Sequence, residues 1–87
     1  RRLYFWRDKN NNEVDFILEK DGDLVALELK TSESVRPSEA KGLVAFREAF
    51  KKKKALKRSI VLHGGEDGRL LGDALFALPW GWMMPRT

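Results

Sequence analysis

Apolar and polar positions along the chain change their period several times, and the changes mark the elements. Leu3 to Arg7 is aromatic and β-prone, and the polar run Asp8-Lys9-Asn10-Asn11-Asn12 ends it with turn-forming residues. Glu13 to Glu19 resumes an extended pattern. Lys20-Asp21-Gly22-Asp23 interrupts it, and Leu24 to Thr31 is a third stretch rich in apolar and β-branched residues. After Thr31-Ser32-Glu33-Ser34 the period lengthens. Ala40, Leu43, Phe46, Ala49 and Phe50 recur at helical spacing behind Pro37, which predicts a helix from about Pro37 to Lys53. Ser59 to His63 predicts a short apolar strand stopped by Gly64-Gly65, and Ala74 to Leu78 predicts a last, edge strand before Pro79. Trp80-Gly81-Trp82-Met83-Met84-Pro85 carries no assignable pattern. The order βββαβ predicts an α/β fold with a mixed central sheet and a flanking helix.

Asp21-Gly22 favours a two-residue type I′ turn, and a loop symmetric about that dipeptide imposes one register. Val14 then faces Leu29, Phe16 faces Leu27 and Leu18 faces Val25, an entirely apolar face. On the other face Glu13 lies across from Lys30, Asp15 from Glu28, Ile17 from Ala26 and Glu19 from Leu24. Two carboxylates directly opposite one another repel, so something must offset the charge. A divalent cation does this with hard oxygen ligands from Asp15 and Glu28, joined by the Leu29 carbonyl. Lys30 falls on the same side as Glu28 and can stabilise negative charge developing at phosphorus during hydrolysis of a phosphodiester. The same four charged residues also make an ordinary solvated sheet face with a surface ion-pair cluster. Ile17 and Ala26 favour the first reading, because they predict that this face is covered further along.

Composition narrows the choices. With 87 residues the chain is one domain, and a domain of this size buries only about 60–65% of its unfolded surface. It is 43% apolar and 34% charged, an ordinary globular balance. No apolar run approaches the roughly 20 residues that span a bilayer, so no membrane partner and a cytoplasmic location are expected. Cysteine is absent, which excludes disulfides, thiolate metal sites and cysteine nucleophiles. The absence of a GxxxxGK[ST] pattern excludes ATP hydrolysis by these residues, and the single histidine, His63, has no partner spacing that suggests catalysis. A net charge of +4 and a pI near 9.6 suit a polyanion. The candidate phosphate-contacting residues are Lys51, Lys52, Lys53, Lys54, Lys57 and Arg58, a run that also reads as a solvated helix end. Trp6, Trp80 and Trp82 are expected to pack, with base stacking as the other role.

Glu13-Val14-Asp15-Phe16-Ile17-Leu18-Glu19 followed by Leu27-Glu28-Leu29-Lys30-Thr31-Ser32 resembles the D…ExK core of the PD-(D/E)XK phosphodiesterase superfamily. Tyr4-Phe5-Trp6-Arg7, Glu13-Val14-Asp15-Phe16, Glu28-Leu29-Lys30 and Leu78-Pro79-Trp80 resemble, more narrowly, a C-terminal domain of unknown function found in prokaryotic AAA-type ATPases. The resemblance implies Mg²⁺ or Mn²⁺ held by Asp15 and Glu28, Lys30 as the motif lysine, Glu13 as an accessory carboxylate, and DNA as the substrate. Val14 stands where the motif's name has proline. The first helix of the core is absent from these residues, so the chain reads as a piece of a longer, ATPase-containing protein whose Arg1 lies in a strand already under way. A homodimer is expected from sheet surface left bare by that helix. The alternative is a noncatalytic regulatory or interaction module that keeps the nuclease-like fold and contacts its ATPase through the aromatic C-terminal segment.

Overall fold

The computed structural model describes residues 2–50 and 56–82. Its strands are β1 (Arg2–Arg7), β2 (Glu13–Lys20), β3 (Asp23–Leu29), β4 (Leu56–His63), β5 (Arg69–Gly72) and β6 (Leu75–Pro79). A 3-10 turn, Pro37–Ala40, leads directly into the helix α1 (Lys41–Phe50), and a second 3-10 turn covers Trp80–Trp82. The strands form one six-stranded mixed sheet in the order β1-β2-β3-β4-β6-β5. β1, β2 and β3 are an antiparallel meander, β3-β4 and β4-β6 are parallel, and β5-β6 is antiparallel. The crossover from β3 to β4 carries the helix, as a parallel connection requires.

The mixed α/β sheet and the βββαβ order agree with the pattern in the sequence. The C-terminal strand forms as β6, but it lies inside the sheet. The edge belongs to β5, whose four residues Arg69-Leu70-Leu71-Gly72 lie between glycines with no alternation to announce them. The helical segment begins at Pro37 as expected, but as the 3-10 turn that runs into α1 at Lys41. There the Glu39 side chain accepts the Arg36 N–H at 3.0 Å, satisfying a backbone donor at the helix start. Its expected end at Lys53 lies outside the described residues. The third strand stops at Leu29 rather than Thr31, although the Lys30 N–H still donates to the Leu62 carbonyl at 2.8 Å.

The hydrophobic core lies between α1 and one face of the sheet. Leu43 and Phe46 of α1 pack on Val14, Ile17, Ala26, Val61, Leu75 and Ala77, with Val35 sealing one end. Trp6 meets Phe46 edge-on, with ring centroids 5.2 Å apart, and Phe50 lies 4.4 Å beyond. Such aromatic pairs add about 0.5–1.5 kcal/mol each beyond the area they bury. Trp6 therefore packs as expected, whereas Trp80 and Trp82 are exposed, and the Trp82 ring lies over Gly68. Gly42 is what brings α1 so close to β2: a Cβ there would fall 1.9 Å from the Glu13 carbonyl oxygen.

The face bearing Ile17 and Ala26 is the one α1 covers, as those two residues predict, while on the opposite face Phe16 and Leu29 remain 36% and 41% exposed. One feature of the predicted hairpin needs correction: Val14 does not share a face with Phe16 and Leu18. On β1, Tyr4 pairs with Ile17 and Trp6 with Val14, so three steps along β2 match two along β1. The extra residue is a β-bulge at Asp15-Phe16, and it turns Val14 into the core beside Ile17.

Candidate functional site at the open end of the hairpin

At the turn, the predicted register is realised. Lys20↔Asp23, Glu19↔Leu24, Leu18↔Val25, Ile17↔Ala26 and Phe16↔Leu27 are paired, with Asp21 at φ 54° and Gly22 at φ 86° as a type I′ turn demands. Beyond Phe16↔Leu27 the ladder ends. The expected direct pairs Asp15–Glu28, Val14–Leu29 and Glu13–Lys30 are not among the ladder pairs, because the bulge shifts β2 by one residue at this point.

Side chains take over where the backbone ladder stops. The Leu29 N–H donates to Asp15 Oδ2 at 2.9 Å, and the Asp15 N–H donates to Glu28 Oε1 at 3.2 Å. Asp15 thus takes the Leu29 N–H that a regular β2–β3 ladder would have paired with Val14, and Glu28 takes the Asp15 N–H. The Asp15 side chain also acts electrostatically on the Glu28 carboxyl beside it. Asp15 and Glu28 are therefore brought together, by a route that the sequence pattern did not foresee.

The electrostatics follow from this crowding. Burial, then the adjacent Asp15 side chain and the repulsion from its charge, push the Glu28 carboxyl from its ordinary 4.5 up to about 7. Lys30 opposes the shift weakly from nearby. A bound cation would relieve the same crowding by offsetting the negative charge of the pair.

Lys30 also acts electrostatically on Glu39, whose carboxyl lies below the usual range mainly because it accepts the Arg36 N–H. Lys30 is thus shared between Glu28 and the start of the helix. Glu39 went unnoticed in the sequence, although an acid three residues after Arg36 and two after Pro37 is a helix-start signal. Glu13 is drawn away toward β1, where its Oε1 lies 2.5 Å from the Arg7 guanidinium.

The basic residues proposed for phosphate contact do not gather around this pair. Lys51 to Lys54 lie outside the described residues. Lys57 lies 3.8 Å from Asp23, and Arg58 pairs with Val25, both near the Asp21-Gly22 turn. From Val25 to Glu28 is about 10 Å of strand. Lys57 and Arg58 line a shallow depression with Lys20, Asp21 and Asp23, a surface of mixed charge.

As a ligand set the pair offers hard oxygens on two strands, which suits Mg²⁺ or Mn²⁺. Among the described residues no group of three or more His, Cys, Asp or Glu is placed to hold a metal, so further ligands would come from backbone carbonyls, water or substrate. No helix among them is long and apolar enough to cross a membrane.

Together these features define a mixed-sheet α/β domain with an adjacent carboxyl pair where β2 and β3 separate. The chain belongs to the family described as Domain of unknown function (DUF4143), whose model matches residues 1–83. No curated protein and no solved structure matches it. The expectation of a domain of unknown function therefore holds at the level of the family.

Proposed function

We propose that this domain is a Mg²⁺-dependent phosphodiester hydrolase of the PD-(D/E)XK nuclease-like type, acting on DNA and joined in its parent protein to an AAA-type ATPase. The observation that carries the reading is the Asp15–Glu28 pair, two carboxyl groups held in contact by backbone donors and short of one positive charge. A group pushed up to about 7 by burial first and then by a like-charged neighbour is one whose charged form a bound cation would stabilise.

In this reading Asp15 and Glu28 hold the ion, and their backbone hydrogen bonds keep both carboxylates oriented. A divalent ion there supplies electrostatic stabilisation to the phosphoryl group under attack. Lys30, close enough to Glu28 to influence its charge, holds an ammonium beside the reacting phosphate and offsets the negative charge that develops. Glu13 acts as an accessory carboxylate when substrate draws Arg7 away from it. A mixed βββαβ sheet with the acidic residues on the second and third strands is compatible with this assignment.

A second reading has its own support. The bonds from Leu29 and Asp15 also close the open end of the hairpin without any metal, and Glu13 is occupied by Arg7. A noncatalytic module would keep them as a structural lock and present its exposed apolar surface to a partner. That surface includes Leu3, Phe5, Phe16 and Leu29, with Trp80 and Trp82 at the C-terminal end.

Incubation of the chain with supercoiled plasmid DNA in Mg²⁺ or Mn²⁺ separates the two. The nuclease reading predicts nicking that falls about 100-fold or more in Lys30→Ala and Glu28→Gln. A folded wild type that leaves the plasmid intact at every metal concentration supports the noncatalytic module instead.

A further inference from the structure

β4 ends at His63, beside the segment that leaves β3 through Lys30. Two backbone hydrogen bonds tie these stretches together on either side of His63: the Lys30 N–H donates to the Leu62 carbonyl at 2.8 Å, and the Gly64 N–H donates to the Ser32 carbonyl at 2.8 Å. Between them the His63 side chain is buried, with the residue only 3% exposed. Its Nδ1 accepts the Gly65 N–H at 3.0 Å through the lone pair on that nitrogen.

The glycines show how tight the junction is. A Cβ on Gly65 would fall 1.9 Å from the Glu33 carbonyl oxygen and 3.1 Å from His63 Nδ1, and one on Gly64 would lie 3.1 Å from the Thr31 carbonyl oxygen. Gly64-Gly65 is therefore more than a strand stop: its bare backbone fits against the backbone of Thr31 to Glu33. A leucine or valine in place of His63 would fill the space but would offer no acceptor to turn the Gly65 N–H inward.

We infer that His63 is a positioning residue for the candidate site, clamping the Gly64-Gly65 corner against Thr31–Glu33 and so fixing the backbone at Lys30. The role rests on the nuclease-like reading only in its consequence for Lys30; the clamp itself is a property of the fold. Lysine is a flexible four-carbon stem, and a functional ammonium must be held to within roughly 0.5 Å. Lys30 lies just past the last residue of β3, so its backbone is anchored by one ladder bond to β4 and by the docked segment that follows.

The test compares His63→Asn, His63→Leu and Gly65→Ala in the same chain. Asparagine places its Oδ1 about where Nδ1 lies and keeps an acceptor; leucine keeps bulk alone; Gly65→Ala leaves His63 intact but forces the corner off Glu33. Amide hydrogen exchange followed by NMR is expected to speed up about tenfold at Lys30, Gly64 and Gly65 in His63→Leu and Gly65→Ala. The Ile17 and Ala26 amides should keep their protection, and His63→Asn should stay near the wild type throughout. Wild-type exchange at these amides in His63→Leu, or no recovery in His63→Asn, overturns the clamp. Plasmid nicking in Mn²⁺ should follow the same order of variants. If the wild type does not nick, the nuclease reading fails by itself, and the exchange rates still decide the role of His63.

Discussion

Near Asp21-Gly22 the β2–β3 hairpin runs in one register from Lys20↔Asp23 to Phe16↔Leu27, whereas beyond Phe16 the same two strands are joined through the carboxyl groups of Asp15 and Glu28. The turn end is built from local rules: two residues with positive φ, alternating side chains and a buried Ile17–Ala26 pair under α1. The open end departs from those rules by one bulge residue, and the departure places two acids in contact. A regular ladder continued to the open end would have paired the Leu29 N–H with the Val14 carbonyl. The difference teaches that the hairpin's stability and its candidate chemistry lie at opposite ends, so they should respond separately to substitution.

The largest effect should come from the turn half. Ile17, 4% exposed in the core, should cost about 2–4 kcal/mol when changed to alanine, read as a shift of the urea midpoint at unchanged slope. Metal affinity measured under conditions where the variant stays folded should change little; a loss at both ends together would break the division.

At the open end the sign is reversed. The folded-state value for Glu28 lies above its ordinary one, so the stabilisation belongs to the protonated form. That contribution is complete below pH 4.5 and is lost as pH rises through about 7. For a half-buried group partly screened by solvent it amounts to on the order of 1–2 kcal/mol. Glu28→Gln keeps an acceptor for the Asp15 N–H and removes the titration. It should therefore stabilise the fold at pH 8 by about 1 kcal/mol and flatten the stability profile between pH 4.5 and 7. Thermal melts across that range will show it; a Glu28→Gln profile parallel to the wild type would contradict the coupling.

The smallest effect is at the tip. Gly22 has φ 86° and nothing within 4 Å of where a Cβ would lie, so Gly22→Ala costs backbone strain alone, about 1 kcal/mol. It should leave the Glu28 pH profile untouched.

The same contrast explains what was legible in the sequence. Asp21-Gly22 and the alternation beside it determine the register because turn chemistry is local, and each pair down to Phe16↔Leu27 follows from it. The bulge at Asp15-Phe16 was not legible, since it arises from pairing with β1 and from α1 packing Gly42 against the Glu13 backbone, contacts distant in sequence. The alternation places Asp15 and Glu28 opposite each other across a regular ladder, yet they meet through a bulge and two backbone-to-carboxylate hydrogen bonds. Which sheet face α1 would cover was readable from Ile17 and Ala26, although the all-apolar face competed for it. β5 and the His63–Gly65 contact left no periodic trace because both depend on how the chain returns to the sheet.

The most direct test of the central claim is calorimetric titration of Mg²⁺ and Mn²⁺ into the wild type, Asp15→Ala and Glu28→Ala near pH 7, repeated in buffers of different ionisation enthalpy. The account predicts binding by the wild type that both variants lose, accompanied by release of part of a proton as the ion displaces the one held by Glu28. A folded wild type that takes up neither ion, or binding that survives in either variant, would contradict it and leave the carboxyl pair as a lock on the open end of the hairpin.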